Sequence, residues 1–75
     1  MARLPTDLSG RRVRAALERA GFAFLRQRGS HMILRRDNPR ALVTVPDHKV
    51  IKPGTLRGII ADAGLTVDEL IALLR

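Results

Sequence analysis

Few residues in this chain can do chemistry. It has two histidines, His31 and His48, and no cysteine. Without cysteine there is no disulfide framework, no thiol nucleophile and no thiolate zinc site. His31, His48 and Asp47 fit no common spacing of metal ligands, so no metal site and no cofactor are expected. No carboxylates pair at helical or strand spacing, and Gly29-Ser30 alone is too short for a phosphate-cradling loop. Proton transfer remains. RNA brings its own nucleophile, the 2′-hydroxyl, so a ribonuclease needs only a proton-transfer group and cations that offset the developing charge. His31, within Arg26-Gln27-Arg28-Gly29-Ser30-His31, meets that minimum; the competing reading is a strand histidine with no chemical role. His48, within Pro46-Asp47-His48-Lys49, can contact phosphate, assist proton transfer or cap its loop. Lys49 and Lys52 suit backbone phosphate better than bases.

The charge supports a polyanionic partner. Fourteen Lys and Arg oppose seven Asp and Glu, a net of +7, and twelve of the fourteen are Arg. Residues 1–57 carry 13 basic and 4 acidic side chains, a net of +9, whereas residues 58–75 carry one basic and three acidic, a net of −2. An arginine-rich genome accounts for Arg over Lys but not for this asymmetry, which points to nucleic acid. The acidic balance of residues 58–75 argues against a DNA-binding protein built on the last helices. Seventy-five residues make one domain. A chain of this size hides only about 60% of its unfolded surface, so its site is expected on an open surface or in a shallow groove. No apolar run approaches the roughly 20 residues that span a bilayer. Met1 to Asp7 lacks the apolar stretch of a signal peptide, which predicts a cytoplasmic protein with no membrane partner.

The elements that must position these side chains follow from periodicity. Ser9 caps a helix from about Gly10 to Ala20, with Val13, Ala16, Leu17 and Ala20 on one face. Gly21 ends it. Phe22 to Arg28 and His31 to Arg36 read as strands around a tight II′ turn at Gly29-Ser30. Ala41 to Pro46 is a third strand after the four-residue turn Asp37-Asn38-Pro39-Arg40. Residues 47–52 form a loop. Pro53 opens a helix to about Ala63, with Leu56, Ile59, Ile60 and Ala63 on one face, and Gly64 ends it. Thr66-Val67-Asp68-Glu69 is a capping box before a short apolar helix. The expected class is α+β, in the order α-β-β-β-α-α, with a three-stranded antiparallel sheet and the helices on one face.

Register arithmetic divides the sheet. A two-residue turn sets Arg28 opposite His31 and Arg26 opposite Ile33; the second turn sets Leu34 opposite Val43 and Met32 opposite Val45. The face toward the helices is then Leu25, Met32, Leu34, Val43 and Val45. The open face shows Arg26, Arg28, His31, Arg35 and Thr44. Phe24 resists this register, because it falls on the open face. Three explanations stand: it packs at the sheet edge, it stacks on a base, or it marks a β-bulge. Phe22 reads as core.

Several segments in order carry a family resemblance. They are Leu8-Ser9-Gly10, Ala20-Gly21-Phe22, Arg26-Gln27-Arg28-Gly29-Ser30-His31, Val43-Thr44-Val45-Pro46, His48-Lys49, Lys52-Pro53-Gly54-Thr55-Leu56-Arg57 and Ala63-Gly64-Leu65-Thr66. Over roughly residues 8 to 70 the chain resembles the HicA toxins. The resemblance implies a fold like that of double-stranded-RNA-binding domains. It also implies an mRNA interferase that blocks translation, and a HicB antitoxin encoded beside it. It places the family's catalytic histidine on His31. Two positions depart: Met32 stands where many members carry a second histidine or polar residue, and Val50 where glycine is common. The resulting expectation is a metal-independent endoribonuclease acting on mRNA through His31. Arg26, Arg28, Ser30, Arg35, His48, Lys49 and Lys52 are its RNA-binding residues. The alternative is a non-catalytic RNA-binding module of the same fold.

Overall fold

A computed structural model describes residues 3–75. Met1 and Ala2, on which the reading of the N-terminal segment partly rests, lie outside the described residues. The order is α1 (Gly10–Arg19), β1 (Ala23–Arg28), β2 (His31–Asp37), β3 (Arg40–Pro46), α2 (Pro53–Asp62) and α3 (Val67–Leu73). This is the expected α+β class, with one antiparallel sheet ordered β1-β2-β3. No helix among the described residues is long and apolar enough to cross a membrane.

The helix ends follow local chemistry. The Ser9 hydroxyl accepts the Arg12 N–H, which satisfies one of the unpaired amides that open α1. Gly21, at φ 94°, reverses the chain after α1 in a conformation that side chains with a Cβ rarely adopt. Thr66 and Glu69 close the capping box of α3 reciprocally, at 3.1 and 2.8 Å. Two arginines satisfy carbonyls at the other ends: Arg19 donates to Leu73 and Arg75, and Arg36 donates to Ala63 just past α2.

The register of β2 agrees with the sequence reading. Arg28 pairs with His31 and Arg26 with Ile33 on one side; Leu34 pairs with Val43 and Met32 with Val45 on the other. Asp37 and Arg40 form the last pair of the second ladder, so the turn there is the two residues Asn38-Pro39 rather than four; the register is the same. Met32, Leu34, Val43 and Val45 are buried with Val13, Leu17, Ile51, Leu56 and Leu70, which puts the core on a single face of the sheet.

Strand β1 corrects two assignments. The ladder slips between Phe24 and Arg26, so Leu25 is the extra residue of a β-bulge. Leu25 is therefore 43% exposed instead of facing the helices. Phe24 comes to lie opposite Leu34, on the helix side, where the Arg14 guanidinium stacks 3.9 Å from its ring centroid. Of the three explanations for Phe24, the bulge is the one observed. Phe22 is buried, with Arg36 over its ring at 4.7 Å.

Candidate active site

His31 is the first residue of β2, directly after the hairpin turn. Gly29 takes φ 57° there, the positive angle a II′ turn needs at its first central position. His31 is exposed on the open face, as are Arg26, Arg28, Arg35 and Thr44. Because His31 pairs with Pro46, the chain leaves β3 beside it. Residues 47–52 then pass over that corner of the sheet.

Three backbone hydrogen bonds pin this loop. The Asp47 N–H donates to Ser30 O at 2.6 Å, the Gly10 N–H to His48 O at 2.9 Å, and the Ile51 N–H to Leu8 O at 2.8 Å. Ile51 is also fully buried among core side chains. The loop is therefore held at both ends, by the hairpin turn and by the chain entering α1. Residues 48–50 and Lys52 expose their side chains from this fixed backbone.

The product is a shallow depression of about 420 Å³ lined by His31, Thr44, Pro46, His48, Val50, Lys52 and Thr55. It joins three expected site residues, His31, His48 and Lys52. Arg28 is the strand neighbour of His31, and Ser30 contributes the carbonyl that anchors Asp47. Lys49 faces away, into a second recess with Ser9, Arg11, Asp47 and His48, so His48 forms the wall between the two. Arg26 lies two residues from Arg28 along β1. Arg35 is four residues along β2 from His31, roughly 13 Å at strand rise. It is ion-paired to Asp37 at 3.0 Å, so it is not part of the depression. Among the described residues neither histidine forms an ion pair, and neither do Arg26, Arg28, Lys49 and Lys52.

Asp47, Gln27, Thr44 and Thr55 are participants that the sequence did not single out as site residues. Asp47 ties three elements together. Its carboxylate accepts from Arg11 Nε of α1 and from Gln27 Nε2 of β1, each at 3.3 Å, while its amide holds the turn. The Arg11 hydrogen bond, helped by Gln27 and by the charges of Arg11 and His48, holds the Asp47 carboxyl below the ordinary carboxylate value. Gln27 also donates to Gly29 O at 3.0 Å, which braces the hairpin from the helix side.

The arrangement can bind an anion and move protons. Lys52 is the N-cap of α2 and gives it no side-chain cap, so the positive end of that helix opens beside Lys52 and Thr55. Among the described residues no three His, Asp or Glu side chains converge as a metal-binding group. A family model described as the HicA toxin of bacterial toxin–antitoxin matches residues 10–65, from the first residue of α1 to the segment after α2. No curated protein matches the chain.

Proposed function

The chain belongs to the HicA toxin family of bacterial toxin–antitoxin systems, and on that premise we propose that it is a metal-independent endoribonuclease, an mRNA interferase that cuts mRNA in the cytoplasm and blocks translation. The observation that carries this reading is His31 in an open depression with His48 and Lys52, next to Arg28. A toxin of this family has a cognate antitoxin. Here it is a HicB-like protein that covers the basic surface.

His31 exchanges a proton with RNA as the 2′-hydroxyl attacks the adjacent phosphate. Arg26, Arg28 and Lys52 offset the negative charge that builds on the phosphoryl oxygens. His48 contacts the same phosphate, Lys49 holds the flanking backbone, and Ser30 fixes the loop against the turn. An open depression suits a single strand, which can thread a shallow groove without being enclosed. Proton transfer of this kind contributes on the order of 10²–10⁴-fold.

The test is cleavage of an RNA oligonucleotide by purified protein in EDTA, wild type against His31→Ala. Wild type should leave a 2′,3′-cyclic phosphate. His31→Ala should lose about 10²–10⁴-fold in rate while keeping its fold, since the side chain is exposed. A 2′-deoxy residue at the cleaved position should resist. Cleavage of the deoxy substrate at the normal rate, abolition by EDTA, or a fully active His31→Ala would each refute the mechanism. RNA binding without cleavage would favour the plain binding module.

A further inference from the structure

From the geometry of the depression we infer that His48 is the second proton-transfer group, the acid that protonates the leaving 5′-oxygen while His31 removes the proton of the 2′-hydroxyl. The inference rests on the ribonuclease reading above and assigns the half of the reaction that His31 leaves undone.

The reaction needs two proton transfers on opposite sides of phosphorus. The O2′ lone pair forms the O2′–P bond and its proton passes to His31. The P–O5′ bond breaks, its electron pair stays on O5′, and O5′ takes a proton from the His48 imidazolium. The products are a 2′,3′-cyclic phosphate and a free 5′-hydroxyl. Exchange with water restores both imidazoles. No oxidant, reductant or metal enters the balance.

The titratable side chains lining the depression are His31, His48 and Lys52. A lysine ammonium holds its proton near neutral pH, whereas an imidazole exists in both forms there, so the second transfer falls to a histidine. Position 32, next to His31 on the strand, cannot supply it. Met32 is buried on the helix side, so any side chain there faces away from His31. Asp47 is held by Arg11 and Gln27 and does not line the depression.

His48 comes from the loop after β3 and His31 from the start of β2, so the two imidazoles enter the depression from different elements. Its carbonyl is fixed by the Gly10 amide and the preceding residue by Ser30, so its exposed imidazole projects from a backbone that does not have to reorganise. The space of about 420 Å³ exceeds the few water volumes, at about 30 Å³ each, that a phosphate group displaces. Lys52 and the opening of α2 are left for the non-bridging oxygens.

The experiment uses an RNA whose cleaved position has been mapped with the wild-type chain, and a copy with sulfur in place of the bridging 5′-oxygen there. A thiolate leaves without being protonated, so the copy does not need the acid. His48→Ala and His48→Gln are both measured, with a thermal melt to confirm folding. On ordinary RNA each should be slower by about 10²–10⁴-fold. On the sulfur substrate each should return to within about tenfold of wild type, while His31→Ala stays slow on both. Full activity of both His48 variants on ordinary RNA overturns the inference. So does an equal loss on both substrates, the mark of a residue that only binds or positions, and so does rescue of His31→Ala instead. If the wild-type chain cuts neither substrate, the ribonuclease reading itself has failed.

Discussion

Replacing Gly10 by alanine isolates the contact that holds the candidate site together. Gly10 opens α1 with its backbone pressed against the end of β3. A methyl carbon there would overlap the Pro46 carbonyl oxygen, 2.9 Å from the Pro46 carbonyl carbon and 3.2 Å from Asp47 Cα. All three are backbone atoms, so no side chain can swing aside. Either α1 or the 46–48 segment has to move by something on the order of 1 Å, the kind of overpacking that costs about 1–3 kcal/mol. Alanine returns at most about 1 kcal/mol in helix propensity, so the steric term wins. A net loss of about 1–2 kcal/mol should lower the melting temperature by roughly 5–15 °C in a domain of this size. The move also strains the Gly10–His48 hydrogen bond, and a 1 Å misplacement can cost on the order of 10²-fold in rate. The control is Gly58→Ala within α2, where a methyl meets nothing within 4 Å, and a gain of about 0.5–1 kcal/mol is expected. Thermal melts followed by circular dichroism, with RNA cleavage on the same samples, read both effects. If Gly10→Ala melts at or above wild type while Gly58→Ala behaves as expected, the packing argument is wrong.

Other outcomes follow from the same structure. Leu34→Ala empties a fully buried position on the central strand and should cost about 2–5 kcal/mol by urea denaturation with an unchanged slope. The folded pKa of Asp47 lies below its unfolded value, so its contribution is complete above about pH 4 and fades as pH falls through the lower folded value. In melts below about pH 4, Asp47→Asn should lose less stability with acid than wild type; parallel acid limbs would contradict the Arg11 pairing. Affinity for RNA should fall steeply between about 50 and 200 mM salt, because a surface with net +9 over residues 1–57 binds through phosphate; a flat response would remove the electrostatic argument. An acidic antitoxin from the same operon should co-purify with the chain and suppress cleavage, and a protein that elutes separately and leaves cleavage intact would count against a HicB-like partner.

The fold was legible where a local rule had no competitor. Ser9, Gly21, Pro53 and the Thr66–Glu69 box each act within one turn of chain, and the observed boundaries fall within a residue or two of those expected from them. Strand β1 was not legible. Period-two alternation assumes one residue per rung, and the extra residue at Leu25 inverts every assignment between it and the start of the strand. The misplaced aromatic was the trace of that extra residue. Gln27 lies beyond the bulge, opposite Met32 in either register, and its exposed side chain donates to Asp47 and Gly29 O.

Half of the site could be read in the same way. The turn and the register placed His31 beside Arg28, as observed. The same register contained the approach of His48, because Met32 opposite Val45 puts Pro46 beside His31 and the next residues have to cross that corner. What no periodicity carries is the pinning of the loop, which depends on how closely α1 meets β3. That pinning takes the place of a buried polar network beneath the histidines. Among the described residues no polar side chain is buried, so none is available to lock the histidines from below. A 75-residue domain has too little interior to satisfy such a network and still fold. The proposed reacting groups are exposed side chains whose placement comes from the main chain: a glycine that permits contact, and three amide hydrogen bonds that fix residues 47 to 51. Variants at Gly10 should therefore damage catalysis more than deletion of any single side chain behind the site, such as Gln27→Ala, even though Gly10 has no side chain to offer a substrate.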